Sequence, residues 1–249
     1  LRSLVGSEMC IRDSYKAYKV IKNFRPDLVI GTGGYASAPT LKAAQLLGIP
    51  YFIQEQNSYA GVTNKWVAKG AKGIFVAYEH MERYFPHTPL FLTGNPIRED
   101  LMNITHKAPE AYKQFSMDSQ AFTLLVIGGS LGARKINELV KEHLPLFKEK
   151  KVQILWQCGA YYFPEYKHLE SESVRILPFV ENMKAAFSIA DVIISRAGAS
   201  SVSELAVVGK PVIFVPSPNV AEDHQTKNAQ AIADQNAALL LKETDITTH

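Results

Sequence analysis

The stretch VIGGSLGARKIN, residues 126–137, decides the fold. An apolar run ending at Ile127 gives way, across three glycines, to a polar segment rich in helix formers, which reads as a strand turning into a helix. Gly128, Gly129 and Gly132 leave the backbone bare at that corner, and two physical reasons can demand it. Backbone amides at a helix start, aided by the helix dipole, face an anion such as a phosphate, with the Ser130 hydroxyl beside them. Alternatively, the glycines only permit a tight turn and a close approach of helix to sheet. The spacing is GGSxGA rather than GxGxxG, and the next strand runs into Gln157, Cys158 and Gly159 with no acid to hold the ribose of a nicotinamide cofactor. A dehydrogenase is therefore disfavoured.

Working outward, short β-rich apolar runs alternate with amphipathic segments. Strands are predicted at residues 123–127, 153–157, 174–177, 192–195, 212–215 and 238–241, and earlier at 28–30, 51–54, 74–77 and 90–93. A polar stretch, residues 98–120, with Pro109 and several charges, interrupts the rhythm and predicts a domain junction. The expected fold class is α/β, with two Rossmann-like, doubly wound parallel-sheet domains whose ligands bind beyond the carboxyl ends of the strands. Residues 1–14 show no periodicity and are expected to be a non-native leader outside the fold. Residues 15–96 are expected to form the later part of a first, incomplete domain, and residues 97–249 a second. The first sheet starts mid-rhythm and the last strand has no closing helix, so the chain is expected to be truncated at both ends.

Composition narrows the function. The chain has 249 residues, 47% of them hydrophobic and 20% charged, enough for a substantial core. No apolar run approaches the roughly 18 to 20 residues of a spanning helix, and no secretory signal stands at the front, which predicts a cytoplasmic protein able to touch a membrane from that side. A net charge of +3 is too small and too dispersed for a nucleic-acid partner. Cys10 and Cys158 share no metal-ligand or redox spacing, which argues against a disulfide framework or a zinc site. No acidic pair has the spacing of a metal-bridging motif, and no metal or other cofactor is expected.

Three further segments carry candidate chemistry. IGTGGYASAP, residues 30–39, repeats the strand–glycine–helix layout and is weak alone. In SRAGASSVSELAVVGKPVIFVP, residues 195–216, a strand ends in Arg196 and Gly198 and a helix is predicted to start near Ser201, with Glu204 in its first turn. Ser201 and Glu204 match an SxxE capping box. The functional alternative turns Glu204 into the crevice to accept hydrogen bonds from a ribose diol, while amides around residues 199–202 meet phosphate or sugar. AEDHQTKNAQA, residues 221–231, puts His224 and Gln225 at another helix start on the same sheet edge. Taken alone, His224 is more often a surface cap than a catalyst. Finally, Trp66 among Lys65, Lys69 and Lys72 suits an anionic membrane surface. The plainer reading buries the tryptophan and solvates the lysines.

Read together and in order, GTGGYAS, QEQNSYAGVTNKWVAKGA, GNPIR, GGSLGARKIN, RAGASSVSE and DHQTKNA resemble the MurG family of lipid-linked N-acetylglucosaminyltransferases of peptidoglycan synthesis, from about Tyr15 to the end of the chain. The resemblance implies a GT-B fold, two domains facing a cleft. It implies an inverting transfer of N-acetylglucosamine from UDP-N-acetylglucosamine to the muramyl 4-hydroxyl of undecaprenyl-linked lipid I, giving lipid II for cell-wall growth. It also implies peripheral attachment to the cytoplasmic face of the bacterial plasma membrane. Carried over by resemblance, Ser130 meets the donor diphosphate, Glu204 the ribose diol and the Val180 backbone the uracil. Ala199, Ser200, Ser201, Val202 and Ser203 line the diphosphate and sugar, Gln225 meets the sugar-phosphate portion, and Asn57 and Arg98 complete the donor site from the interdomain side. No catalytic base is assigned, because the family's other glycine loop, with its histidine, is expected among the missing N-terminal units. Such a fragment is expected to hold the donor poorly. Two rival readings keep the fold: another GT-B enzyme, such as a UDP-N-acetylglucosamine epimerase or a lipid galactosyltransferase, and a non-catalytic UDP-sugar-binding module. GNPIR and NKWVAK argue against the rival enzymes.

Overall fold

All ten predicted strands are present, each end within one residue of its expected position. The computed structural model describes residues 2–129 and 132–246, which fall into two units, Leu1–Asn95 and Pro96–His249.

The first unit runs α1 (Arg2–Phe24), β1 (Val29–Gly31), α2 (Ser37–Leu46), β2 (Tyr51–Glu55), α3 (Val62–Val67), β3 (Gly73–Val76) and β4 (Leu90–Leu92). The strands form a parallel sheet in the order β1-β2-β3-β4. Successive side chains of a strand point to opposite faces. Val29, Tyr51, Ile53, Ile74 and Val76 are accordingly buried with Leu41 and Ala44 of α2, Val67 of α3 and Ile21 of α1. The alternate residues Phe52, Phe75 and Phe91 pack ring against ring on the other face, with centroids 5.5 and 5.6 Å apart. The helix α1 runs through residues 2–14, where the sequence shows no helical periodicity. Ala17, Tyr18 and Ile21 pack the later part of that helix on the core. The preceding residues, which hold no proline, extend it at one hydrogen bond per residue.

The second unit runs α4 (Pro109–Phe115), β5 (Phe122–Ile127), α5 (Arg134–Glu149), β6 (Val152–Gln157), α6 (Phe163–Tyr166), β7 (Val174–Leu177), α7 (Met183–Ile189), β8 (Val192–Ser195), α8 (Ala199–Val208), β9 (Val212–Phe214), α9 (His224–Ala233) and β10 (Leu239–Leu240). Its six parallel strands lie in the order β10-β9-β8-β5-β6-β7. The chain winds outward from β5 to β7, returns to β8 beside β5, and winds outward the other way. The β5/β8 boundary is thus the point where strand order reverses, the position at which open α/β sheets bind ligands. Both faces are covered, as a parallel sheet requires. Leu125, Leu155 and Ile193 point to one side with residues of α4, α7 and α8, and Leu124, Val126, Ile154, Trp156 and Ile194 to the other with Ile136 and Val140 of α5. The polar stretch 98–120 is folded onto this unit rather than strung out as a linker: Leu101, Ala111, Tyr112 and Phe115 are buried in the first of these clusters. Their spacing hides among charged residues, which is why the segment reads as a junction.

Candidate functional site

The glycine corner after β5 answers to close packing first. Gly132 has φ +82°, and a Cβ there would collide with the Cys158 carbonyl oxygen and lie 2.7 Å from Tyr162 Cδ2. A Cβ on Gly128 would lie 2.9 Å from the Ala133 nitrogen. The Gln157 side chain, at the end of β6, donates to the Gly129 carbonyl at 3.0 Å, and Gly132 N closes a turn onto Gly129 O at 3.1 Å. Gly129, also at φ +82°, has nothing within 4 Å of where a Cβ would stand. The corner is therefore bare because β6 crowds it from one side, and open at Gly129. Ser130, the expected diphosphate contact, lies outside the described residues.

Three helices start at this edge, after the neighbouring strands β9, β8 and β5. None of α5, α8 and α9 receives a hydrogen bond from its N-cap side chain, and none carries an acid in its first turn. The first amides of a helix have no intrahelical acceptor, and the dipole adds positive potential there. The starts of α5 and α8 thus suit a polyanion, whereas α9 has Asp223 as its N-cap residue and Glu222 before it.

The α8 corner corrects the capping-box expectation. The helix begins at Ala199 with Gly198 as N-cap in extended geometry, φ −63° and ψ 150°, two residues before the predicted start. Ser201 and Glu204 are thereby its third and sixth residues, so Glu204 is in the second turn, out of reach of the N-cap amide. Val202 is committed elsewhere: its amide donates to Gly198 O at 2.9 Å and its side chain is buried. The amides left over are those of Ala199, Ser200 and Ser201. Glu204 instead faces Arg98, whose Nε donates to Oε1 at 3.3 Å, with side-chain exposures of 22% and 45%.

The remaining predicted residues fall at this edge or in the first unit. Val180, in the loop between β7 and α7, is buried in the cluster that holds Ala197 and Val202. Gln225 accepts a hydrogen bond from Ser217 N at 2.9 Å, tying the start of α9 to the segment after β9. His224 Nε2 lies 3.0 Å from Glu222 Oε2. Asn57 sits in the loop after β2, where its backbone and side-chain nitrogens both donate to Glu55 Oε1, at 3.1 and 3.4 Å.

Sequence reasoning missed two organising side chains. Glu55 is only 1% exposed and also accepts from Gly61 N at 2.9 Å and Asn64 Nδ2 at 2.8 Å, so a buried carboxylate, satisfied as burial demands, ties down residues 57–64. An acid closing the apolar run YFIQE is the signal that marks it. Arg196, at the end of β8, donates to the Val215 carbonyl at 3.0 Å and pairs with Glu243, bracing the α8 corner against the ends of β9 and β10. Trp66 is 62% exposed, which corrects the plainer reading of a core tryptophan. Lys42 Nζ stands 5.0 Å from its ring centroid, and Leu46 and Val62 are exposed on the same two helices. Phe163 and Tyr166 of α6 join the cluster that holds Trp156 of β6, whose ring centroid lies 5.0 Å from that of Tyr166. No helix among the described residues is long and apolar enough to cross a membrane.

A doubly wound sheet with uncapped helix starts on both sides of its switch point is an arrangement at which α/β proteins commonly hold phosphates and nucleotides. Residues 123–249 match the glycosyltransferase family 28 C-terminal domain, and residues 9–76 the glycosyltransferase family 28 N-terminal domain. The chain belongs to glycosyltransferase family 28, and its fold is of the GT-B class. It is 53% identical over 232 residues to the UDP-N-acetylglucosamine–N-acetylmuramyl-(pentapeptide) pyrophosphoryl-undecaprenol N-acetylglucosamine transferase of Flavobacterium psychrophilum, covering 93% of this chain and 63% of that protein. The enzyme of the same name from Bacteroides thetaiotaomicron is 47% identical over 240 residues, covering 94% and 64%. Among solved structures, MurG of Acinetobacter baumannii superposes with a TM-score of 0.75 at 32% identity, over 94% of this chain and 65% of that one. A UDP-GlcNAc 2-epimerase from Neisseria meningitidis reaches 0.69 at 16% identity, over 96% and 71%, a likeness of fold alone. The chain thus spans just under two thirds of the length of the curated relatives it matches.

Proposed function

We propose that the protein transfers N-acetylglucosamine from UDP-N-acetylglucosamine to undecaprenyl-pyrophosphoryl-N-acetylmuramyl pentapeptide, lipid I, with inversion at the anomeric carbon, yielding lipid II. The observation that carries this reading is the row of helix starts of α9, α8 and α5 along one sheet edge, with the Glu204 carboxylate beside the middle one. The relatives named for this reaction support it at about half identity.

The chemistry follows from that edge. UDP departs carrying most of the developing charge of the transition state, and prearranged amides and helix dipoles stabilise such charge without reorganising during the reaction. In this assignment the diphosphate lies along the starts of α5 and α8, with Ser130 and the amides of Ala199, Ser200 and Ser201. Ser203 and Gln225 line the sugar side, and the backbone at Val180 meets the uracil. Glu204 accepts hydrogen bonds from the ribose diol, and Arg98 belongs to the same donor site. The acceptor hydroxyl attacks as a general base removes its proton.

The acceptor is a lipid, and we assign the exposed group Leu46, Val62 and Trp66, with Lys42 and Lys65, to peripheral contact with the cytoplasmic face of the plasma membrane. An apolar surface ringed by cations suits anionic headgroups.

Calorimetric titration of UDP and UDP-N-acetylglucosamine into the chain, beside a transfer assay with a lipid I analogue, tests the reading. Binding that Glu204→Ala weakens more than it lowers the unfolding midpoint, together with formation of lipid II product, is the expected result. Binding without product supports the sugar-binding module, and an unchanged affinity in Glu204→Ala contradicts the donor site.

A further inference from the structure

We infer that Lys65 and Arg83, held on the rings of Tyr59 and Tyr84, form an oxyanion site in the first unit whose occupant is a carboxylate of the acceptor's peptide. The inference rests on the acceptor reading above and adds to it a point at which the peptide branch is recognised.

The four residues come from two segments that leave the first sheet at one edge. Tyr59 lies between β2 and α3, Lys65 in α3, and Arg83 and Tyr84 in the stretch between β3 and β4. β2 and β3 are neighbouring parallel strands, so their carboxyl ends deliver both segments side by side, at the edge where α/β sheets bind ligands. Each segment is anchored. Glu55 gathers hydrogen bonds from Asn57, Gly61 and Asn64, while Met81 and Phe85 are buried on either side of Arg83 and Tyr84. Thr88 Oγ1 donates to the Ala68 carbonyl at 3.1 Å, tying the second segment to the end of α3.

The rings hold the cations. Tyr59 and Tyr84 meet edge to face with centroids 5.1 Å apart. Lys65 Nζ stands 4.7 Å from the Tyr59 centroid and 5.9 Å from that of Tyr84, and Arg83 Cζ stands 4.8 Å from that of Tyr84. A ring face restrains a cation without consuming its N–H donors, which a carboxylate partner would take. Among the described residues neither cation has a carboxylate within ion-pairing distance, and Glu82, next to Arg83, lies 3.7 Å from His80 instead. Two restrained positive charges with unused donors suit an oxyanion, and the guanidinium fork matches the two oxygens of a carboxylate.

The acceptor in the proposed reaction carries two kinds of oxyanion, its pyrophosphate and the carboxylates of its peptide. Position favours the peptide. The pyrophosphate is bonded to the lipid and stays beside it, and the lipid-facing group assigned above lies towards α2, where Lys42 stands over Trp66. Successive residues of a helix point about 100° apart, so Lys65, at the border of that group, turns away from α2 towards the stretch after β3. A branch that leaves the muramyl sugar away from the lipid reaches this side.

The test titrates two water-soluble acceptor analogues into the 249-residue chain by calorimetry. Both are N-acetylmuramyl pentapeptide pyrophosphates with a short prenyl chain, one with free peptide carboxyls and one with every peptide carboxyl amidated. Arg83→Gln carries the test, because Lys65 also borders the lipid-facing group, and circular dichroism verifies its fold. Arg83→Gln should weaken the free-acid analogue by about three- to tenfold, the scale of one charge-assisted contact at a partly exposed site, and Arg83→Lys should recover part of the loss. Amidation should weaken binding to the unsubstituted chain by a similar factor, and Arg83→Gln should bind the two analogues within about twofold of each other. If Arg83→Gln weakens both analogues equally, or weakens neither, the guanidinium does not meet the peptide and the inference is wrong while the acceptor reading stands. If the unsubstituted chain binds neither analogue, the acceptor reading fails and this inference with it.

Discussion

Replacing Gly132 by alanine separates the two reasons for a bare corner at residues 128–133. The substitution asks an L residue to hold φ +82° and drives its methyl into the Cys158 carbonyl oxygen and the Tyr162 ring. The left-handed backbone costs about 1–2 kcal/mol and forcing an extra methyl into a packed site about 1–3, so a loss of about 2–5 kcal/mol is expected. Gly129→Ala is the matched control, because Gly129 shares the same φ but has open space, and should cost only the backbone share, about 1–2 kcal/mol. Urea unfolding followed by fluorescence measures both. The sequence has two tryptophans, Trp66 in the first unit and fully buried Trp156 in the second, so a Trp66→Phe background makes the signal report the second unit alone. Equal midpoints for Gly132→Ala and Gly129→Ala would refute the close approach of this corner to β6.

Three further outcomes can be checked. Burial raises the Asp191 carboxyl pKa, but the Thr123 amide at 2.8 Å and the Lys107 ammonium at 2.9 Å outweigh it and hold the group below its ordinary value. A native pKa so lowered contributes stability above the ordinary value, lost as pH falls through the native one, so Asp191→Asn should cost about 1–2 kcal/mol at pH 7 and converge with the unsubstituted chain in acid, read from urea midpoints against pH. Burial pushes the Cys158 thiol up to about 11, so mass spectrometry should find its peptide unlabelled by N-ethylmaleimide at pH 8 in the native state and labelled after unfolding; native labelling would contradict its burial. Trp66→Ala combined with Lys42→Ala should cut cosedimentation with vesicles containing anionic phospholipid by roughly tenfold, with unchanged UDP binding, and no loss would remove the membrane assignment from this patch.

The strands were legible because parallel strands, buried on both faces, read as nearly continuous apolar runs, as at residues 124–127 and 154–156. The corners were legible because glycine marks positive φ and close approach, as at Gly132. What escaped depends on partners far away in sequence or on choices between near-equal local states. Arg98 and Glu204 are 106 residues apart, and no local pattern announces their pairing. The start of α8 was misread because Ser201 and Glu204 satisfy a capping pattern that Gly198, equally acceptable as an N-cap, takes over two residues earlier. Glu55 stands just past the strand predicted at residues 51–54, and only the four donors gathered from residues 57–64 reveal it as a buried loop anchor. Trp66 escaped in the opposite sense, since a helix of six residues presents too short a pattern to tell an exposed face from a buried one.

The most direct test is amide hydrogen exchange of the chain with and without saturating UDP-N-acetylglucosamine. The account predicts new protection on the second unit confined to the segments around residues 97–99, 129–134, 179–181, 198–204 and 222–226, that is Arg98 and the ends of β5, β7, β8 and β9. Protection elsewhere on the second unit, or none at these helix starts, would contradict the claim that they converge on one nucleotide.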